Sequence, residues 1–343
     1  MSMDKNAADA YVYAKASGML ARSYVGKNAR KLFDINSLSE LWSLLFKTEV
    51  PVIPEKLLAK KLEEESEKTF IREYIKLIDN YSSPSPVLLA LLHYFDYDNL
   101  KEIGSALSFG EKELPSLVDI SPFNIIDYSK WPDIQKITKS GNLSWYNRVP
   151  SIKEQKDFNA HLDSDYLNEV WSAASSIKTG CRDSVLDLLG EKFRIDNILW
   201  ALRLRVYYNM DKTDIIEHLA YSDNEKRHDD PLVVDAVKTL DWDTDSYDQW
   251  KNWKYAYLLN PYEEGSIWNI DPRWIYNAYK KRYVQKAKRM FHQFPFTECP
   301  LVCFFILKQN ELDNIRTASE SICLNISQSQ AMELTGVSEV KNG

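Results

Sequence analysis

The chain has 343 residues, 44% hydrophobic and 27% charged, a composition that builds cores and excludes both a disordered chain and a membrane-embedded one. Only 10 residues are glycine, under half the average share of roughly 7%, so Gly-rich phosphate loops are nearly excluded and helices are favoured. Forty-three basic against 50 acidic residues leave a net charge of −7, the wrong balance for a protein whose affinity rests on neutralising nucleic-acid phosphates.

Val12, Ala16, Met19, Leu20 and Tyr24 fall on one stripe and predict an amphipathic helix over residues 11–24. Ser37 is placed to cap a second helix, with Glu40 reaching back three residues later and Leu38, Leu41, Trp42 and Leu45 forming its apolar face. From Pro54 to Asp79 acids and bases stand at helical separations, and the cluster Ser82–Pro86 breaks the run. Residues 121–150 and 220–248 show no clean period and predict loops or short helices. Trp242, Trp250, Trp253, Trp268 and Trp274 crowd the third part of the chain. They could stack on a sugar or anchor a partner, but core filling is the stronger reading. Leu301 to Leu307 is the longest wholly apolar run, seven residues, against the 20 or so that a spanning helix needs. With no apolar leader at the start and four cysteines in all, the expectation is a cytoplasmic protein with no membrane span.

One short phrase recurs three times, each time behind an apolar run: Tyr97-Asp98-Asn99-Leu100, Ile195-Asp196-Asn197-Ile198 and Leu312-Asp313-Asn314-Ile315. Ile103, Ala201 and Ala318 return three positions later on the same helical face. Spacings of 98 and 117 residues imply three diverged helical units, drawn at 1–108, 109–220 and 221–343. Coincidence is the competing reading of so short a phrase, and the matched upstream runs favour the repeat.

The screen for chemistry is negative. Asp241, Asp243 and Asp245 imitate the opening of a calcium loop, but Ser246 stands where the turn glycine belongs and Asn252 where the closing Glu should be. Cys299 and Cys303 lack a second Cys/His pair for zinc and read as buried thiols. No HExxH, GxSxG, GxxxxGK[ST] or GxGxxG motif occurs. No catalytic site, metal or cofactor is therefore expected. Lys280, Lys281, Arg282, Lys286, Lys288 and Arg289 make a basic stretch that reads as a solvated or partner-facing surface, open to an acidic protein partner.

YVYAKASGMLARSY, SLSELWSLLFKTEVP, RIDNILWALRLRVYY and FFILKQNELDNIRT together resemble the C subunit of V-type (A/V-type) ATPases and ATP synthases, whose eukaryotic relative is subunit d. The matching positions include Tyr13, Ala14 and Arg22, then Leu45 and Thr48, and finally the Glu-x-x-Asn-Ile-Arg helix at Glu311, Asn314, Ile315 and Arg316. The resemblance runs from residue 11 to 327, with 121–160 and 221–265 unmatched. It departs in the first copy of the repeat, where no Arg stands at the place of Arg203 or Arg205, and in the abundance of tryptophan in the third. The resemblance implies an all-α funnel of three similar lobes with approximate threefold pseudo-symmetry. It would be a non-catalytic rotor part joining the central-stalk subunits to the membrane rotor ring, peripheral to the membrane, in ion transport. Arg203, Arg205 and Arg316, which follow the repeated phrase, are the candidate partner-binding residues. A helical-repeat scaffold for a protein or peptide partner is the alternative.

Overall fold

The computed structural model describes residues 5–139, 141–223, 225–335 and 337. Among these, every regular element is helical. In chain order they are α1 (Lys5–Leu20), α2 (Arg30–Phe33), α3 (Leu38–Leu45), α4 (Glu55–Ile78), α5 (Pro86–Ser108), α6 (Ile134–Ile137), α7 (Gln155–Ser175), α8 (Arg182–Tyr208), α9 (Lys212–Glu217), α10 (Val234–Thr239), α11 (Tyr247–Trp250), α12 (Pro272–Gln293), α13 (Cys299–Cys323) and α14 (Gln328–Thr335), with short 3-10 turns between them. The all-α class holds.

Local chemistry sets the boundaries. Ser37 accepts a hydrogen bond from the Glu40 N–H at 3.3 Å, while the Glu40 carboxylate reaches back to the Asn36 N–H at 3.4 Å, one residue beyond the expected partner. Proline opens α5, α12 and α13 at Pro86, Pro272 and Pro300, where its missing N–H costs nothing and its fixed φ suits the first turn. The first helix starts at Lys5 and stops at Leu20, short of the expected residue 24. Tyr24 is pulled out of helical register because its N–H donates to Glu311 and its hydroxyl to the Leu44 carbonyl at 2.9 Å.

Six long helices carry the architecture and follow one another two by two in chain order, α4–α5, α7–α8 and α12–α13. Within the first pair the Tyr74 hydroxyl donates to the Leu88 carbonyl at 3.2 Å and the Phe70 and Phe95 rings lie 6.0 Å apart. From there α5 packs on α7, α7 on α8, α8 on α12, α12 on α13, and α13 returns to α4, so the six close a ring. The hub is α13, which also touches α1, α2, α3, α5 and α14. Its residues from Cys299 to Lys308 are all buried, as a helix apolar on every side must be. Lys308, which ends the apolar run, is buried between Glu73, at 3.0 Å, and Glu311.

The three copies of the repeated phrase sit in α5, α8 and α13, the second helix of each pair. In each copy the Asp meets a lysine: Asp98 with Lys101 at 4.0 Å, Asp196 with Lys192 at 2.5 Å and Asp313 with Lys280 at 3.0 Å. The Asn is buried in all three. Asn99 bonds Val118, and Asn197 bonds Ala220 and Leu232, so the segments after α5 and α8 are tied back to the helix they follow, across residues 108 and 220. The third region draws on both ends of the chain, since Leu32, Leu38 and Trp42 share a core with Leu62, Ile315, Ala318 and Met332.

Residues 121–150 and 220–248 hold short helices and loops, as expected. Trp250, Trp253 and Trp268 are buried and Trp242 packs against that core, its ring 4.9 Å from that of Trp250, whereas Trp274 is 43% exposed. Cys299 and Cys303 are buried thiols with sulfurs 3.8 Å apart. Among the described residues no helix is long and apolar enough to cross a membrane.

Candidate functional site: a cavity at the centre of the helical ring

Where the three pairs meet, they leave an open cavity of about 300 Å³ to which all six helices contribute. The lining repeats with the phrase. Seven residues before each Asp stand Leu91, Leu189 and Ile306, and four before it stand Tyr94, Lys192 and Gln309; all six line the cavity. Four and seven residues are one and two helical turns, so each second helix presents the same face inward. The first helices add Glu67 and Phe70 from α4, Tyr166 and Val170 from α7, and Tyr283 from α12.

The lining combines aromatic and charged side chains. Tyr94 and Tyr166 rings lie 5.5 Å apart, and Phe70 packs at 5.1 Å on Phe305 behind it. Around these stand Lys192, Asp313, Arg316 and Glu67. The Arg316 guanidinium meets Glu63 at 3.4 Å. Burial pushes the carboxyls of Glu63 and Glu67 above the ordinary glutamate range, and the Arg316 charge pulls both part of the way back. An aromatic surface ringed by both signs of charge suits non-covalent docking of a protein element. Among the described residues no group of His, Cys, Asp and Glu is arranged to hold a metal ion.

The three candidate arginines do not converge. Arg316 lines the cavity. Arg205 lies outside it, where its Nη1 donates to the carbonyls of Trp242 at 2.6 Å and Thr239 at 3.5 Å, tying α8 to the end of α10. Arg203 lies over the Tyr276 ring at 6.0 Å, also outside the cavity lining. Sequence reasoning missed Tyr94, Lys192, Gln309, Glu67, Tyr166 and Tyr283. The signal for the first three was present: counting back one turn from each repeated Asp finds them. The others lie on first helices that carry no repeated phrase.

Fold and cavity define an all-helical protein of three helix pairs around a central opening. A family model described as ATP synthase (C/AC39) subunit matches residues 10–334. The chain belongs to that family and is a V-type ATP synthase subunit. It is also 28% identical over 336 residues, 98% of each chain, to an uncharacterized protein of Treponema pallidum (strain Nichols).

Proposed function

We propose that this subunit is the connector of the rotor: it receives the end of the central shaft in its cavity, seats on the membrane rotor ring, and passes torque between them during ion transport. It carries no catalysis and no cofactor of its own and is held at the cytoplasmic face of the membrane through the complex. The observation that supports this reading most is the cavity itself, lined from three helix pairs at matching positions of a repeated phrase. The same matching supports three lobes of approximate threefold pseudo-symmetry, corresponding to residues 1–108, 109–220 and 221–343. A socket of that kind accepts a rod-like end without covalent linkage, and densely packed helices around it transmit strain rather than absorb it. Arg316 is the foremost partner-binding residue in this scheme, and Arg203 a second contact outside the cavity. Arg205, which also holds the end of α10, is the third proposed partner-binding residue.

Reconstitution from purified shaft and ring subunits tests the proposal. With the wild-type chain, shaft and ring should co-assemble and couple. Arg316→Glu should weaken shaft capture by about tenfold at low salt, with the difference shrinking as salt rises over the Debye range, and leave the helical signal unchanged. Equal assembly and coupling with the chain omitted would sink the connector role.

A further inference from the structure

The repeated asparagine does the same job twice and, among the described residues, is left without it the third time. Asn99 pairs with the backbone of Val118 through both halves of its amide: Nδ2 donates to the carbonyl at 2.7 Å and Oδ1 accepts from the N–H at 2.9 Å. Asn197 pairs with Ala220 in the same way, at 2.8 Å for both bonds. The clamped residues follow the asparagine by 19 and 23 positions. Asn314 is 1% exposed; among the described residues its Nδ2 reaches only Asn310 Oδ1 at 3.4 Å, and its Oδ1 has no partner. Of the corresponding positions, 333–335 lie in α14 and the Val337 N–H donates to the Met332 carbonyl. A buried amide oxygen without a donor is costly, and pairs of this kind are rarely left open.

Asn314 lines a second cavity, of about 390 Å³, between the start of α2, one face of α12 and α13. Its lining includes Lys27, Arg30, Lys280, Lys281 and Lys288 and, among the described residues, no acid. Arg30 and Lys280 have partners in Asp34, at 3.6 Å, and Asp313, at 3.0 Å. Lys27 and Lys288 have no acidic partner among the described residues. Burial alone lowers the Lys288 pKa, as happens to an ammonium desolvated without a counter-charge. Gly26, at φ +63°, leaves the space that the Lys288 ammonium occupies, since a Cβ there would stand 1.9 Å from Nζ.

We propose that this basic pocket binds an extended acidic peptide segment of a partner protein, clamped at its backbone by Asn314 and at its carboxylates by Lys27 and Lys288. A small anion would answer the lysines but offers no N–H to the orphaned oxygen. An extended backbone offers an N–H and a C=O to the amide, as Val118 and Ala220 do, and acidic side chains supply the counter-charge. Among the side chains of the chain's own residues 338–343, SEVKNG, one acid and one lysine cancel, so they offer a cationic wall no acidic run.

The test is fluorescence anisotropy of the full chain with a labelled peptide of alternating glutamate and valine. Saturable binding is expected, weakened at least about tenfold by Lys288→Glu, by Asn314→Leu and by N-methylation of the peptide backbone, which removes the N–H donors. The methylated peptide and Lys288→Glu decide the matter even if Asn314→Leu fails to fold. Absence of saturable binding, or equal affinity for the methylated peptide, would overturn the backbone clamp, the second result marking a site for charge alone. Deletion of residues 338–343 should leave the affinity unchanged; a rise of about tenfold or more would make the chain's own tail the occupant and also overturn the proposal.

Discussion

Asparagine at the repeated position separates two kinds of burial. Removing the Asn99 or Asn197 amide takes the partner from a backbone N–H and C=O at half-buried Val118 or Ala220, at about 1–3 kcal/mol for each group left unsatisfied. Asn99→Leu and Asn197→Leu should therefore lower unfolding free energy by a few kcal/mol in urea titrations, with Asn197 the costlier because it also holds Leu232 at 2.8 Å. Asn314→Leu breaks only the 3.4 Å bond to Asn310 Oδ1, takes a partner from no backbone group among the described residues, and should change stability by less than about 1 kcal/mol. Comparable losses at all three positions would refute the distinction. Glu67 poses the opposite problem. Its folded pKa lies above the ordinary value because burial disfavours its charge. The folded state then holds a proton that the unfolded state has released, so stability falls as pH rises through the window upward from 4.5, the unperturbed value. Glu67→Gln should raise the melting temperature at pH 7 by about 1–3 °C and flatten the profile just above the glutamate range; an unchanged profile would count against the burial argument.

Among the elements, α5 shows how a helix can demand glycine without a turn. A Cβ on Gly104 would stand 2.0 Å from the Tyr146 hydroxyl, although glycine inside a helix ordinarily costs about 1 kcal/mol against alanine. Sterics should win. Gly104→Ala is expected to destabilise by about 1–3 kcal/mol by overpacking, and Tyr146→Phe in the same chain should restore most of the loss; calorimetry that finds the single variant neutral would refute the contact. The same helices mark where the sequence was readable. The Ser37 cap, the break at Ser82–Pro86 and the apolar helices that carry Asp-Asn are local signals, written within a few residues of where they act. The cavity was legible only as its repeated frame, because Glu67, Tyr166 and Tyr283 reach it from first helices with no matching phrase. The fate of Arg205 was not legible at all. Its carbonyl partners lie 34 and 37 residues away in sequence, in a stretch without periodicity.

At the scale of the whole molecule, the ring closes through α13, and α13 arrives late. Tyr24 waits for Glu311, 287 residues on, and Asn36 for Gln328, 292 residues on. Leu32, Leu38, Leu41 and Trp42 are almost fully covered in the finished structure, in a core shared with Ile315, Ala318, Ala331 and Met332. On a ribosome adding about 5–20 residues per second, those N-terminal side chains stand without their final neighbours for roughly 15–60 s. The beginning of the chain is thus a client for holding factors during synthesis, and nascent chains interrupted before α13 would display a greasy patch that marks them for disposal before they can enter a larger machine.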